Sequence, residues 1–152
     1  MAAKRKTKTT KSKRTPARPR KSGAKTLSLR GLAPSITVSD IHRSLAWYCD
    51  VLGFKVKQRW ERDGALMGAE LTAGGVTWYL GQDDWQKGRD RVKFEGLRLY
   101  CYCGTRRAVD QLAAAIKARG GTLGSEPKDE WGVRSFSLAD PDGCKITFSS
   151  ES

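Results

Sequence analysis

The chain has 152 residues, with 29 Lys and Arg against 16 Asp and Glu and a formal net charge of +13. That length can bury one good core but is short for two independent domains. No apolar run approaches the length of a membrane-spanning helix, so an integral helical membrane protein is excluded.

The charge is unevenly placed. Residues 1–26 hold 11 Lys and Arg, from Lys4 to Lys25, and no acid, leaving 18 basic against 16 acidic residues, a net of +2, for 27–152. This first segment has no aromatic or large aliphatic side chain after Met1. It cannot bury enough apolar area to offset chain entropy, so a disordered basic tail is expected over 1–26. It lacks the apolar core of a secretory signal and the apolar face of a transit peptide, which points to a cytoplasmic protein. The 4 cysteines, Cys49, Cys101, Cys103 and Cys144, do not have the spacing of a zinc site and read as reduced, partly buried thiols.

From residue 27 onward the elements come in order. A short alternating strand over Leu32 to Val38 leads to Ser39-Asp40, either of which can cap a helix. Ile41, Leu45, Tyr48, Cys49 and Leu52 then form one apolar stripe, and Gly53 is the expected left-handed stop. Further strand-like runs follow, with Val76, Trp78 and Leu80 as the more apolar set of one of them. Gln82 to Lys93 is charged and turn-prone, a natural hinge or exposed loop. A second alternating strand, Leu97 to Cys103, runs into a helix capped by Thr105. This helix buries Val109, Leu112, Ala113 and Ile116 and ends at Gly120-Gly121. A strand near Val133–Leu138 is joined to a last one, Lys145–Ser149, by the tight turn Asp140-Pro141-Asp142-Gly143.

The same plan is therefore written twice, over about residues 30–81 and 94–150. A repeat of this length means one fold unit used twice, whose halves bury each other. Period-2 alternation then sorts the faces. Pro34, Ile36 and Val38, with Leu97, Leu99, Cys101 and Cys103 and with Cys144, Ile146 and Phe148, should pack on the helices. The opposite faces carry Ser35 and Thr37, Thr77 and Tyr79, Arg98, Tyr100 and Tyr102, and Lys145, Thr147 and Ser149.

The segments ITVSDIHRSLAWYCDVLGF (36–54), AAAIKARGG (113–121) and EWGVRSFSLADPDGCKITF (130–148) resemble the vicinal oxygen chelate superfamily, which includes glyoxalase I, extradiol dioxygenases and bleomycin-resistance proteins. The likeness covers about residues 30–150. It implies an α+β fold of paired βαβββ modules whose curled mixed sheets share a cup. In metal-using members, His and Glu on four cup strands hold the ion. Carried over by position, those sites fall on Ala33, Tyr79, Arg98 and Thr147, none of them a usual ligand for a divalent metal, and Arg98 would repel a cation. No metal or other cofactor is therefore expected.

What remains is a cup lined by Ser35, Thr37, Thr77, Tyr79, Arg98, Tyr100, Tyr102, Lys145 and Thr147, with Trp131 at its mouth. Tyr faces stack on flat groups, Arg98 pairs with a carboxylate or phosphate, and hydroxyls fix orientation. The expected protein is a metal-free binder of a small aromatic or anionic molecule, similar to the bleomycin-resistance branch of antibiotic-resistance proteins. One alternative is a glyoxalase-like lyase or isomerase with Glu70 as its base. Another is a nucleic-acid-associated protein acting non-specifically through residues 1–26. The only histidine, His42, is expected at the surface. A homodimer is expected, and no membrane partner.

Overall fold

The computed structural model describes residues 27 and 29–151, so the segment 1–26 expected to be a disordered tail lies outside the described residues. The chain divides at Arg30/Gly31. The described residues of the first unit carry no helix or strand. The second unit contains eight strands and two helical segments.

The first module runs β1 (Ser35–Val38), α1 (Ile41–Ala46), β2 (Lys55–Arg62), β3 (Ala65–Ala73) and β4 (Val76–Gln82). Its sheet has the order β1-β4-β3-β2, with β1 parallel to β4 and the other pairs antiparallel. The second module repeats this with β5 (Arg98–Tyr102), α2 (Arg106–Ala118), β6 (Ser125–Glu130), β7 (Val133–Ala139) and β8 (Lys145–Ser149), in the order β5-β8-β7-β6. The fold is thus α+β with two mixed four-stranded sheets, as the repeat requires, and the sheets are not closed on one another.

Both helix starts lie where the capping residues place them. The Asp40 carboxylate accepts from the backbone N–H groups of His42 and Arg43 at 3.0 Å, and the Thr105 hydroxyl accepts from that of Ala108 at 3.1 Å. His42 is exposed. The first helix does not stay α-helical: Trp47–Leu52 is wound as a π-helix before Gly53 stops it at φ 88°. The wider winding places more residues in each turn, so Val51, off the predicted stripe, packs against the core beside Tyr48 and Leu52.

Two assignments of buried faces are corrected. Val76, in the more apolar set of its strand, and Leu97, expected to pack on the helices, are 44% and 43% exposed. Val76 opens β4 directly after the Gly74-Gly75 turn, and Leu97 precedes β5 rather than belonging to it, so both stand where the regular strand ends. Strand β1 likewise begins only at Ser35. The rest of the alternation holds, with Ile36, Val38, Trp78, Leu80, Cys144, Ile146 and Phe148 buried.

One continuous core joins the modules. Tyr48, Phe54 and Trp78 pack edge-on and tilted at centroid distances of 5.5–5.8 Å. Across the joint, the Tyr48 hydroxyl donates to the Asp140 carboxylate at 3.0 Å, and the backbone N–H of Ser39 donates to Asp142 at 2.7 Å. The Asp140–Gly143 turn is thus also the docking point of the first helix. Burial raises the Asp140 carboxyl above the usual range, and burial with the neighbouring Asp140 raises the Tyr48 hydroxyl, so the pair is held as a neutral donor facing its acceptor.

The segment between the modules is fastened rather than free. Asp83 is buried and bridged by Arg91 and by Lys93, the latter at 2.9 Å, and Lys93 also donates to the Ser39 hydroxyl at 2.8 Å. The Lys93 hydrogen bond is the main reason the Asp83 carboxyl is lowered to about 2. Arg89 and Lys93 lie over the Trp85 ring at 4.6 and 5.1 Å. A charged, turn-rich composition reads as a loop, but Asp83, Arg89, Arg91 and Lys93 find partners along the same segment.

Candidate functional site

Strand register decides which side chains share a surface. In the second sheet, Tyr100 pairs with Thr147, Thr147 with Ser137 and Ser137 with Ser125, so four hydroxyl side chains form one row across all four strands. A second row carries Tyr102, Ser149, Ser135 and Lys128, and a third Arg98, Lys145 and Ala139. Over this face lies a cavity of about 760 Å³, whose walls include Arg98, Tyr100, Trp131, Lys145 and Thr147. That volume lies within the range typical of small-molecule sites, roughly 300–1,000 Å³.

The charge on this face is unbalanced. Lys128 is paired with Glu130 at 3.0 Å, but neither Arg98 nor Lys145 has an ion-pair partner among the described residues. Trp131, 95% exposed, stands on the β6–β7 turn at φ 54°, with Gly132 completing the left-handed pair. A tryptophan there reaches past the strands to the rim of the cavity.

The remaining predicted lining residues, apart from Tyr102 of β5, lie on the other sheet. Ser35, Thr37, Thr77 and Tyr79 occupy the face of the first sheet turned away from the helices, with Ser35 opposite Tyr79. On the same face, Trp60 packs beside Tyr79 at 6.1 Å and lies over Gly68, where an added Cβ would stand 3.0 Å from the indole. Glu70, opposite Tyr79, is only 7% exposed and accepts a 2.7 Å hydrogen bond from Lys57, which raises the Lys57 ammonium above its ordinary range. Tyr102, on the second sheet, stands in the row next to that of Tyr100 and is 69% exposed. Within one chain, then, Arg98, Tyr100, Trp131, Lys145 and Thr147 share one cavity, while Ser35, Thr37, Thr77 and Tyr79 share a separate face with Glu70.

Sequence reasoning missed Ser125, Lys128, Ser135 and Ser137. For Ser135 and Ser137 the signal was present, because Phe136 and Leu138 alternate with them in β7. For β6, Ser-Glu-Pro-Lys-Asp-Glu, there was none: an edge strand with no large apolar side chain has no alternation to read.

The metal positions carried over from the resemblance do not suit an ion. Ala33 has no side-chain donor atom, Tyr79 packs against Trp60 on the first sheet, Arg98 is cationic and Thr147 offers one hydroxyl on the second sheet. Among the described residues, no three of His, Cys, Asp and Glu gather at one point. Nor are the thiols poised as nucleophiles. Burial pushes Cys101 up to about 11 and Cys144 up to about 12, so neither is a thiolate near neutral pH.

The comparisons agree with this architecture. The family model described as Glyoxalase/Bleomycin resistance protein/Dioxygenase superfamily matches residues 32–148. A search of curated proteins finds no match. Among solved structures, a glyoxalase/bleomycin resistance protein/dioxygenase from Nocardioides is similar at a TM-score of 0.66 and 17% identity, covering 83% of this chain and 86% of its own. TioX from Micromonospora sp. ML1 is similar at 0.63 and 20% identity, covering 78% of this chain and 96% of its own. An integron cassette protein of V. cholerae is similar at 0.62 and 23% identity, covering 84% and 99%.

Proposed function

The chain belongs to the glyoxalase/bleomycin resistance protein/dioxygenase superfamily, and from that premise we propose that it is a metal-independent cytoplasmic binding protein of the bleomycin-resistance kind. Its ligand is a small aromatic or anionic organic molecule. One observation carries the reading: a cavity of about 760 Å³ faces two cations, Arg98 and Lys145, that no side chain neutralises among the described residues, beside a row of hydroxyls. An anion supplies the missing counter-charge, the hydroxyls orient it, and Tyr100 and Trp131 offer ring faces. A glyoxalase-like reaction is disfavoured because Glu70, the candidate base, already accepts from Lys57 and lies on the other sheet.

Replacing Arg98 by Ala is expected to weaken ligand binding by roughly 10- to 150-fold, the worth of one charge-assisted hydrogen bond, about 1.5–3 kcal/mol. Thermal stability should barely change, because Arg98 is exposed and has no ion-pair partner to orphan. Calorimetric titration beside a melting curve checks both. A variant that melts much earlier yet binds any tested anion as before makes Arg98 structural.

Two open sheets also leave ring surface uncovered: Tyr100, Tyr102 and Trp131 are 57%, 69% and 95% exposed, and the edge strand β2 is exposed along its whole length. We infer a homodimer in which a second copy covers these faces and brings the Tyr79 face of one protomer toward the Arg98 face of the other. Light scattering at micromolar concentration should give twice the chain mass of 16.8 kDa. A monomer would leave the two faces working separately.

A second activity rests on charge alone. Eleven cations in residues 1–26, with no acid among them, favour non-specific contact with nucleic acid beside the small-molecule site.

A further inference from the structure

We propose that the anion held by Arg98 and Lys145 is one end of a small zwitterion, whose ammonium group is taken by Glu95. This rests on the small-molecule reading above and deepens it by naming a second charged group in the ligand.

Beside the cavity over the hydroxyl rows, a second cleft of about 570 Å³ opens between residues 92–97 and the turn at Gly143. Arg98, Tyr100 and Lys145 line both, so the cation pair stands where the two meet. Arg98 and Lys145 are direct partners across the β5–β8 ladder, an arrangement in which like charges destabilise a sheet. One anionic group set against both turns that repulsion into two charge-assisted contacts.

The charges of this second cleft can be sorted by what they already touch. Its ionised side chains are Lys93, Glu95, Arg98 and Lys145. Lys93 is satisfied within the protein, because it bridges Asp83 at 2.9 Å and donates to the Ser39 hydroxyl at 2.8 Å. Glu95, Arg98 and Lys145 are exposed and have no ion-pair partner among the described residues. The cleft thus keeps two cations and one carboxylate for whatever enters it.

The backbone fixes where that carboxylate stands. The Leu97 N–H donates to the Phe94 carbonyl at 3.1 Å, closing a turn in which Gly96 takes the left-handed position at φ 73°. Phe94 is itself held at φ 57° and packs on the core. Glu95 is therefore carried on the corner of a tight turn that leads directly into Arg98, yet it closes on neither cation. A simple anion would satisfy Arg98 and Lys145 but would face Glu95, a second negative charge, in the same cleft. A molecule with an ammonium a few bonds from its anionic group meets all three charges with opposite sign. The exposed Tyr100 ring offers that ammonium a further face.

Two probes of matched shape test this: phosphoethanolamine, and propyl phosphate, in which a methyl group replaces the ammonium. Near pH 8 their net charges are about −1 and about −2. A chain of net charge +13 attracts propyl phosphate more strongly, so a preference for the zwitterion cannot come from overall charge. The titration follows the amide signals of the nitrogen-labelled full chain by NMR at low salt, with Gly96 and Gly143 reporting on the cleft. Phosphoethanolamine should bind roughly 10-fold more tightly than propyl phosphate, the worth of one charge-assisted hydrogen bond. Glu95→Gln should remove that preference without weakening propyl phosphate, whereas Arg98→Ala should weaken both probes. Equal or weaker binding of phosphoethanolamine by the parent chain overturns the zwitterion and leaves the anion site standing. A preference that survives Glu95→Gln overturns the role given to Glu95. Shifts confined to residues 1–26, or none with either probe at millimolar concentration, overturn the zwitterion and the anion site together.

Discussion

Gly121→Val should lower the melting temperature by about 3–15 °C. A Cβ at this position would stand 2.5 Å from Val51 Cγ1, 2.6 Å from Ile116 Cγ2 and 3.0 Å from the Ile116 carbonyl oxygen. Ile116 has no room to retreat, and Val51, only partly exposed, has little. Ile116 is fully buried, and Val51 is held on the core by the π-helical turn. Overpacking of this kind costs typically 1–3 kcal/mol, and at roughly 3–5 °C per kcal/mol for a domain of this size it is plainly visible in a melt. The test also reports on architecture, because Val51 belongs to the first module and Gly121 to the second. Adding Val51→Ala to Gly121→Val should recover part of the loss, since the pair is coupled through direct contact. If the single variant melts like the parent protein, the modules do not meet at this point in solution.

Much of this joint could not be read from the chain. The stripe Ile41, Leu45, Tyr48, Leu52 was legible because it follows the α-helical period, and those four are buried. Val51 was not, because a π-helical turn changes the period and leaves no compositional mark. The Asp140–Gly143 turn was legible from Pro and Gly, whereas its second role, accepting the Tyr48 hydroxyl from 92 residues away, depends on how the halves stack. The repeat predicted two sheets and their inner faces correctly, apart from Val76 and Leu97. Those lie next to turns, where alternation ends before the apolar residues do.

The same division holds at the site. Arg98, Tyr100, Lys145 and Thr147 were readable from alternation in two strands with strong apolar partners. That Arg98 stands directly opposite Lys145 required the register, which short parallel strands do not encode in composition. Grouping Ser35, Thr37, Thr77 and Tyr79 with them in one cup left open whether that cup closes within one chain or across a dimer. The alternation of each strand is the same whether the cup is completed by the chain itself or by a second copy. That pattern therefore cannot choose between them, and the mass measurement can.

Deleting residues 1–26 should abolish affinity for duplex DNA while leaving ligand titrations unchanged. The deletion takes 11 of the 13 net positive charges with it and leaves residues 27–152 at +2. Every residue assigned to the cavity, the cation pair and the core lies beyond residue 30. Binding driven by released counterions falls steeply with salt, with a log–log slope of up to about −10 if every cation of the segment meets a phosphate, whatever the base sequence. The measurement is a pair of binding curves against random duplex DNA at 50 and 200 mM salt, for the full chain and the truncated one. The full chain should lose on the order of 10³- to 10⁵-fold in affinity between the two conditions, and the truncated chain should show no saturable binding at either. A truncated chain that keeps a steep slope places the nucleic-acid contact on the folded unit, where Arg98 and Lys145 would then be competing for phosphate. A full chain that does not bind at the lower salt removes the nucleic-acid reading and leaves the small-molecule site as the chain's one activity.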